Sequence, residues 1–85
     1  MMSEELVKIG DVSHYFTRIE VAVVELVGKM KVGDHIHIKG ATTDFTQKVE
    51  SIQIEHSRVE EAGAGDSVGL LVDYRVRQGD EVYKL

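Results

Sequence analysis

The chain has 85 residues, of which 42% are hydrophobic and 29% charged, a balance typical of one soluble globular domain. It contains no cysteine, which excludes disulfides, thiolate metal sites and cysteine nucleophiles. Fifteen acidic against ten basic residues give a net charge of −5, which argues against non-specific binding to nucleic acid. Because residues 1–5 lack signal-peptide character and no stretch reaches the length of a membrane span, we expect a cytoplasmic protein. We expect a flexible N-terminus at residues 1–5 and a single domain over residues 6–85.

Apolar residues with the spacing of β-strands occur in six short runs along the chain. These runs cover residues 6–12, 19–26, 35–39, 49–54, 68–72 and 82–83. In the second run Ile19, Val21 and Val23 share one face, and β-branched residues outnumber helix formers, which favours a strand. In the fourth run the alternation changes phase between Val49 and Ile52, which predicts a β-bulge. The fifth run is continuously apolar and predicts a strand that crosses a buried core.

Gly-Asp pairs occur three times, each just before a predicted strand. They are Gly33-Asp34, Gly65-Asp66 and Gly79-Asp80. Glycine adopts positive φ without steric cost, and aspartate hydrogen-bonds to nearby backbone, so each pair predicts a turn. Short strands joined by such turns indicate an all-β barrel or sandwich, and closing the sheet would remove exposed strand edges.

The segments around these turns resemble those of a known protein family. Residues 31–40, K-V-G-D followed by an alternating strand and a glycine, resemble a segment of the second domain of elongation factor Tu. The A-G-x-x-V-G pattern at residues 64–69 is similar to that domain's corner, and residues 76–80 resemble its closing turn. The chain thus resembles the stand-alone translation elongation factor-like proteins, which implies a closed six-stranded Greek-key barrel. It is also similar to the small C-terminal barrel of collagenase-like peptidases that act on tRNA.

The sequence carries no catalytic or nucleotide-binding signature. The phosphate-binding motif G-x-x-x-x-G-K-[ST] is missing, so we expect no bound nucleotide and no cofactor. Asp11, Ser13 and His14 have the residue types of a hydrolytic triad, but adjacent strand residues point to opposite faces. We therefore predict no catalytic residue and no enzyme.

Two functions remain open. The first is a non-catalytic binding module that works with tRNA, rRNA or a protein of the translation or tRNA-modification machinery. The second is a protein-interaction module that docks on a larger enzyme, such as a peptidase-like tRNA-modifying protein.

Candidate binding residues lie in two segments. Residues 14–18 combine aromatic rings, a histidine and an arginine that could stack on bases or on a partner, unless Tyr15 or Phe16 plugs one end of the barrel. Residues 40–47 form a predicted polar loop inside the net-positive stretch 29–48, where Phe45 either is exposed or folds back onto the core. The predicted RNA- or partner-binding residues, in these segments or directly beside them, are His14, Tyr15, Phe16, Arg18, Lys39, Thr43, Asp44, Phe45 and Lys48.

A metal site is not predicted. His35 and His37 share a strand face and, with His14 or His56, have ligand chemistry, but no carboxylate is placed in the sequence to complete a site.

Overall fold

The computed structural model describes residues 6–85, so the flexible segment expected at residues 1–5 lies outside the described residues. Between Leu6 and Leu85 the chain forms β-strands and turns with no helix, which confirms the all-β class. The strands are β1 (Val7–Phe16), β2 (Val21–Leu26), β3 (Met30–Lys31), β4 (His35–Lys39), β5 (Asp44–Lys48), β6 (Ile52–Ile54), β7 (Ser57–Val59), β8 (Glu61–Ala62), β9 (Ser67–Leu71) and β10 (Glu81–Lys84).

Eight strands form one antiparallel sheet in the order β5-β4-β10-β1-β2-β9-β6-β7, and β3 pairs with β8 in a separate ribbon. The end strands β5 and β7 do not pair with each other, so the predicted closed six-stranded barrel is wrong. On the open side of β5, the Gln47 side chain connects this strand to the segment that contains Leu71 and Asp73. Gln47 Nε2 donates to the Leu71 carbonyl at 3.0 Å, and its Oε1 accepts from the Asp73 N–H at 2.8 Å. A single side-chain bridge does not continue a ladder, which needs paired backbone groups along both strands.

The buried core lies on one face of the sheet. Its residues are Ile9, Val12, Ala22, Val24, Leu26, Met30, Ile36, Ile38, Val49, Ile52, Ala62, Val68, Leu70, Val72, Val76 and Val82. On β2 the inward residues are Ala22, Val24 and Leu26, so Val21 and Val23 lie on the opposite face. On β9 the same alternation leaves Leu71 45% exposed. The continuously apolar runs therefore have only one covered face.

Two local predictions are wrong. The phase change between Val49 and Ile52 is a break between β5 and β6 rather than a bulge within one strand. The predicted loop over residues 40–47 contains most of β5, because pairing with β4 makes a strand of a segment with few apolar residues. The observed bulges lie in β1, where the register shifts between Lys8 and Gly10 and again between Val12 and His14.

The three Gly-Asp turns are confirmed, and all three have the same hydrogen bonds. Gly33, Gly65 and Gly79 have φ of 100°, 93° and 95°. In each turn the aspartate N–H donates to the carbonyl three residues earlier, at 3.0 Å. The aspartate carboxylate accepts from the N–H of that same residue, at 2.8–2.9 Å. Each turn therefore closes through two bonds between the same two residues.

Each Gly-Asp turn is also bonded to one buried residue elsewhere in the fold. The glycine N–H donates to that residue's carbonyl, and that residue's N–H donates to the aspartate carbonyl, all at 2.8–2.9 Å. The turns at Gly33, Gly65 and Gly79 bridge in this way to Val49, Leu26 and Val12 respectively. Three equivalent bridges fix the loop ends of the sheet, including the segment before β10 that carries the candidate site.

Candidate functional site

An open cleft of about 240 Å³ lies between the end of β1 and the segment that leads into β10. We call it the basic cleft. Its lining residues are His14, Tyr15, Thr17, Arg75, Val76, Arg77 and Gln78. It contains two arginines and no carboxylate, although the chain as a whole carries a net charge of −5.

The backbone beneath the basic cleft is held in place. Val76 is buried in the core, and the Arg77 N–H donates to the Asp80 carboxylate at 2.8 Å. The Arg77 side chain is also oriented, since its Nε donates to Thr42 Oγ1 at 3.0 Å. Arg75 forms no ion pair with any residue between Leu6 and Leu85. One guanidinium of the cleft is therefore pre-oriented, and the other is free.

A second cleft of about 390 Å³ adjoins the first and shares Arg75 with it. We call it the aromatic cleft. Its other lining residues are Thr42, Thr43, Asp44, Phe45 and Tyr74. The Phe45 and Tyr74 rings meet edge to face with centroids 5.1 Å apart, a favourable geometry for aromatic pairs, and Tyr74 stays 64% exposed.

A histidine fixes the carboxylate at the edge of the aromatic cleft. His37 Nε2 and Asp44 Oδ1 are 2.6 Å apart across the β4–β5 hairpin. This hydrogen bond lowers the pKa of Asp44. Residues 6–85 contain no group of three or more His, Cys, Asp or Glu side chains that could hold a metal ion. Nor does this part of the chain form any helix suited to crossing a membrane.

The face of the sheet opposite the core carries a contiguous apolar surface, which we call the outer face. Phe16, Val21 and Leu71 are paired neighbours across β1, β2 and β9. Val23 continues the surface on β2, and Ile19 joins it from the β1–β2 turn. The outer face is defined by Phe16, Ile19, Val21, Val23 and Leu71, with a groove of about 300 Å³ beside it over Gly69.

The borders of the outer face are polar. At one end the Glu25 carboxylate accepts hydrogen bonds from the hydroxyls of Ser13 and Ser67, at 3.1 and 2.9 Å. At the other side His14 packs on Phe16 with ring centroids 4.4 Å apart, and His14 also lines the basic cleft. The outer face and the basic cleft are therefore adjacent.

The residues predicted from the sequence do not form one site. His14 and Tyr15 line the basic cleft, and Tyr15 is half-buried against the core. Phe16 belongs to the outer face. The residues that line the aromatic cleft are Thr43, Asp44 and Phe45, of which Phe45 also packs on the core.

The remaining predicted residues, Arg18, Lys39 and Lys48, line none of these clefts. Arg18 lies in the exposed β1–β2 turn. Lys39 and Lys48 lie at opposite ends of the β4–β5 hairpin, so the net-positive stretch of the sequence does not form one basic patch.

Sequence reasoning missed the arginines of the basic cleft and much of the outer face. Arg75 and Arg77 lie in a third of the chain that is acidic overall, so the regional charge count concealed them. Their alternation around the apolar Val76, after the aromatic Tyr74, was the available signal. The continuously apolar run at residues 68–72 predicts a strand that crosses the core, but such a run does not reveal that Leu71 lies on its uncovered face.

The curated proteins to which this chain is similar are named as a protease and collagenases. No protein-family model matches the chain. It is 41% identical over 80 residues to an uncharacterized protease of Methanocaldococcus jannaschii, a match that covers 93% of this chain. It is 36% identical over 84 residues to a collagenase of Porphyromonas gingivalis, covering 96% of this chain. The chain spans only 20% of the length of each of these relatives.

Solved structures share the fold of this chain. The C-terminal domain of a putative U32 peptidase from Geobacillus thermoleovorans superposes with a TM-score of 0.87 at 20% identity, covering 100% of this chain and 98% of that one. Its selenomethionine variant gives the same TM-score at 23% identity, covering 95% of this chain and 100% of that one. At such identities the likeness establishes the fold alone.

These comparisons correct three expectations. The resemblance to elongation factor-like proteins is wrong, because the relatives are a protease and collagenases and the structural neighbours come from a U32 peptidase. The predicted role in translation, which depended on that resemblance, is therefore unsupported. The prediction of no enzyme is contradicted as well, since the curated relatives are named as enzymes, although this chain matches only about a fifth of their length. The second resemblance, to the C-terminal barrel of collagenase-like peptidases, is the one that agrees with these findings.

Proposed function

We propose that this chain is a docking domain of a peptidase-type enzyme and that its outer face packs against the remainder of that enzyme. The remainder is either a further part of the same polypeptide or a separate subunit. The relatives support a remainder of this kind, since the matching region makes up only a fifth of the protease and of the collagenase. The observation that carries the proposal is the uncovered apolar outer face.

The apolar residues of β2 and β9 suit strands that are covered on both faces. β2 places three valines and an alanine consecutively at residues 21–24, and β9 ends in Leu70 and Leu71. Strands buried on both sides have this continuous pattern, whereas half-exposed strands alternate apolar with polar residues. The domain's own core covers only one side. Contiguous exposed apolar surface of this kind marks an interaction site.

The outer face also has the anatomy of an interface. Phe16 supplies an exposed aromatic side chain at 45% exposure, and the absence of a side chain at Gly69 leaves a groove beside Val21 and Val23. Aromatic anchors and grooves that receive a partner's side chain are typical of the energetically important centre of interfaces. The Glu25 cluster at the border provides a polar rim.

The test is co-purification with a peptidase-type protein encoded in the same genome that contains the portion of these relatives outside the matching region. The tagged wild-type chain, co-expressed with that protein, should elute with it. Ile19→Lys and Leu71→Lys should each weaken the complex at least about tenfold, because each places a charge within the apolar contact. Both side chains are exposed, so neither change should lower stability by more than about 0.5 kcal/mol.

Val27→Lys is the matched control. Val27 is 58% exposed, as apolar as the test positions, and outside the outer face. This variant should bind like the wild type. The proposal fails if the outer-face variants bind as well as Val27→Lys, or if no complex forms. It also fails if the chain alone forms a dimer that Leu71→Lys dissociates, because a second copy would then cover the outer face.

A further inference from the structure

The basic cleft is a second surface, and the proposed docking function makes no use of it. Its two arginines concentrate positive charge in a chain whose net charge is −5. No carboxylate lines the cleft, so the guanidinium groups are not neutralised within it. Guanidinium groups present planar sets of N–H donors that match the oxygens of carboxylates and phosphates.

The donors of the basic cleft come from two directions. The end of β1 contributes His14, Tyr15 and Thr17, and the segment before β10 contributes Arg75 and Arg77. Of these five side chains, only that of Arg77 hydrogen-bonds to another residue between Leu6 and Leu85, through Nε to Thr42. That bond leaves the terminal nitrogens of Arg77 available for a ligand.

This number of free donors favours phosphate over carboxylate. A carboxylate offers two oxygens, which one arginine can satisfy by itself. A phosphate monoester offers three strongly accepting oxygens and nearly two negative charges. The basic cleft would surround a ligand with two arginines, hydroxyl groups and an imidazole. This set of donors matches a phosphate monoester better than a carboxylate.

The cleft is also rigidly built. Val76 lies between the two arginines and is buried, and Arg77 and Asp80 are joined by two hydrogen bonds that close the Gly-Asp turn. Residues on such an anchored turn hold their geometry better than residues on a mobile loop, and a preorganised site loses less entropy on binding.

We infer that the basic cleft binds a phosphate group, carried as a monoester on an organic ligand. The adjoining aromatic cleft favours the monoester over the free ion. It shares Arg75 with the basic cleft, and Tyr74 and Phe45 form a wall against which the organic part of a ligand can pack.

The experiment is an NMR titration of the folded chain at roughly pH 7.5, above the second phosphate pKa of about 6. Inorganic phosphate and phenyl phosphate are added separately, with sodium chloride at matched ionic strength as the reference. Both phosphates should shift the signals of Arg75, Arg77 and His14, and phenyl phosphate should bind more tightly and also shift Tyr74.

The double substitution Arg75→Gln with Arg77→Gln should weaken both phosphates at least tenfold. Arg58→Gln is the matched control, because Arg58 is on β7 and lines neither the basic nor the aromatic cleft. It should bind like the wild type.

Chloride shifts equal to those from phosphate would overturn the inference, as would equal loss of binding in the double variant and in Arg58→Gln. Tighter binding of inorganic phosphate than of phenyl phosphate would refute the monoester. Shifts produced only by a short oligoribonucleotide, with none from either phosphate, would also refute it. None of these outcomes depends on Ile19 or Leu71, so the docking proposal is tested separately.

Discussion

Gly40 follows β4 and lies directly against the buried carboxylate of Asp80. A Cβ atom at Gly40 would lie 1.8 Å from Asp80 Oδ1 and 2.6 Å from its Cγ. Asp80 is only 4% exposed, and its Oδ2 accepts the hydrogen bond from the Arg77 N–H at 2.8 Å. Gly40→Ala therefore forces the carboxylate out of its position and breaks the bond that closes the turn beneath the basic cleft.

The cost follows from these contacts. Loss of a hydrogen bond to a charged acceptor costs about 1.5–3 kcal/mol, and overpacking adds about 1–3 kcal/mol. We expect Gly40→Ala to lower the free energy of unfolding by about 3 kcal/mol and Asp80→Ala to lower it by about 2 kcal/mol. In the Asp80→Ala background the new methyl group has space, so adding Gly40→Ala should cost less than about 1 kcal/mol. The coupling between the two substitutions is then at least about 2 kcal/mol.

Urea unfolding followed by far-UV circular dichroism and tyrosine fluorescence measures all four proteins of this cycle, since the chain has three tyrosines and no tryptophan. Gly63→Ala is the control: a Cβ there meets nothing within 4 Å, and the residue does not have positive φ. It should change the free energy of unfolding by less than about 0.5 kcal/mol. If Gly40→Ala and Asp80→Ala are additive within about 0.5 kcal/mol, the contact between Gly40 and Asp80 does not control this turn.

The β6–β7 hairpin turn places two non-glycine residues, Glu55 and His56, at φ of 50° and 69°. A two-residue hairpin turn with positive φ at both positions favours glycine at the second position. His56→Gly should therefore raise the free energy of unfolding, measured in urea, by about 0.5–1 kcal/mol. A lower free energy of unfolding in this variant would contradict the positive φ at His56. The His37 hydrogen bond lowers the pKa of Asp44, so it stabilises the fold above about pH 4 and is lost as the pH falls through the folded pKa. His37→Ala should raise the pKa of Asp44 in a carboxyl NMR titration and His35→Ala should not; an unchanged value in His37→Ala would refute the role of the bond.

The Gly-Asp turns were predictable because their signal is local. Positive φ at glycine and the Asp carboxylate bond back to the chain involve only four consecutive residues, so the sequence contains all the participants. The closure of the sheet was not predictable in the same way. It depends on whether β5 and β7, at the two ends of the strand order, come within pairing distance, and that is decided by the twist and length of all the strands between them.

β5 shows why a strand can lack a sequence signal. Its five residues contain one aromatic and four polar side chains, and its pattern resembled a loop. The strand forms because it pairs with β4 at five positions. It also forms because the side-chain amide of Gln47, which is 6% exposed, hydrogen-bonds to the backbone of Leu71 and Asp73. A buried polar residue of this kind is stable only with partners that are distant in sequence.

The same dependence on distant contacts explains why the candidate site differs from its prediction. In a regular strand His14 would share the inward face of Val12, and Tyr15 would point outward. The bulge between Val12 and His14 inserts one residue, and a shift of one residue exchanges the two faces. His14 and Phe16 therefore point outward and Tyr15 packs on the core. One irregularity in β1 thus supplies both the aromatic anchor of the outer face and the imidazole of the basic cleft, so a partner covering the outer face would border the phosphate site without filling it.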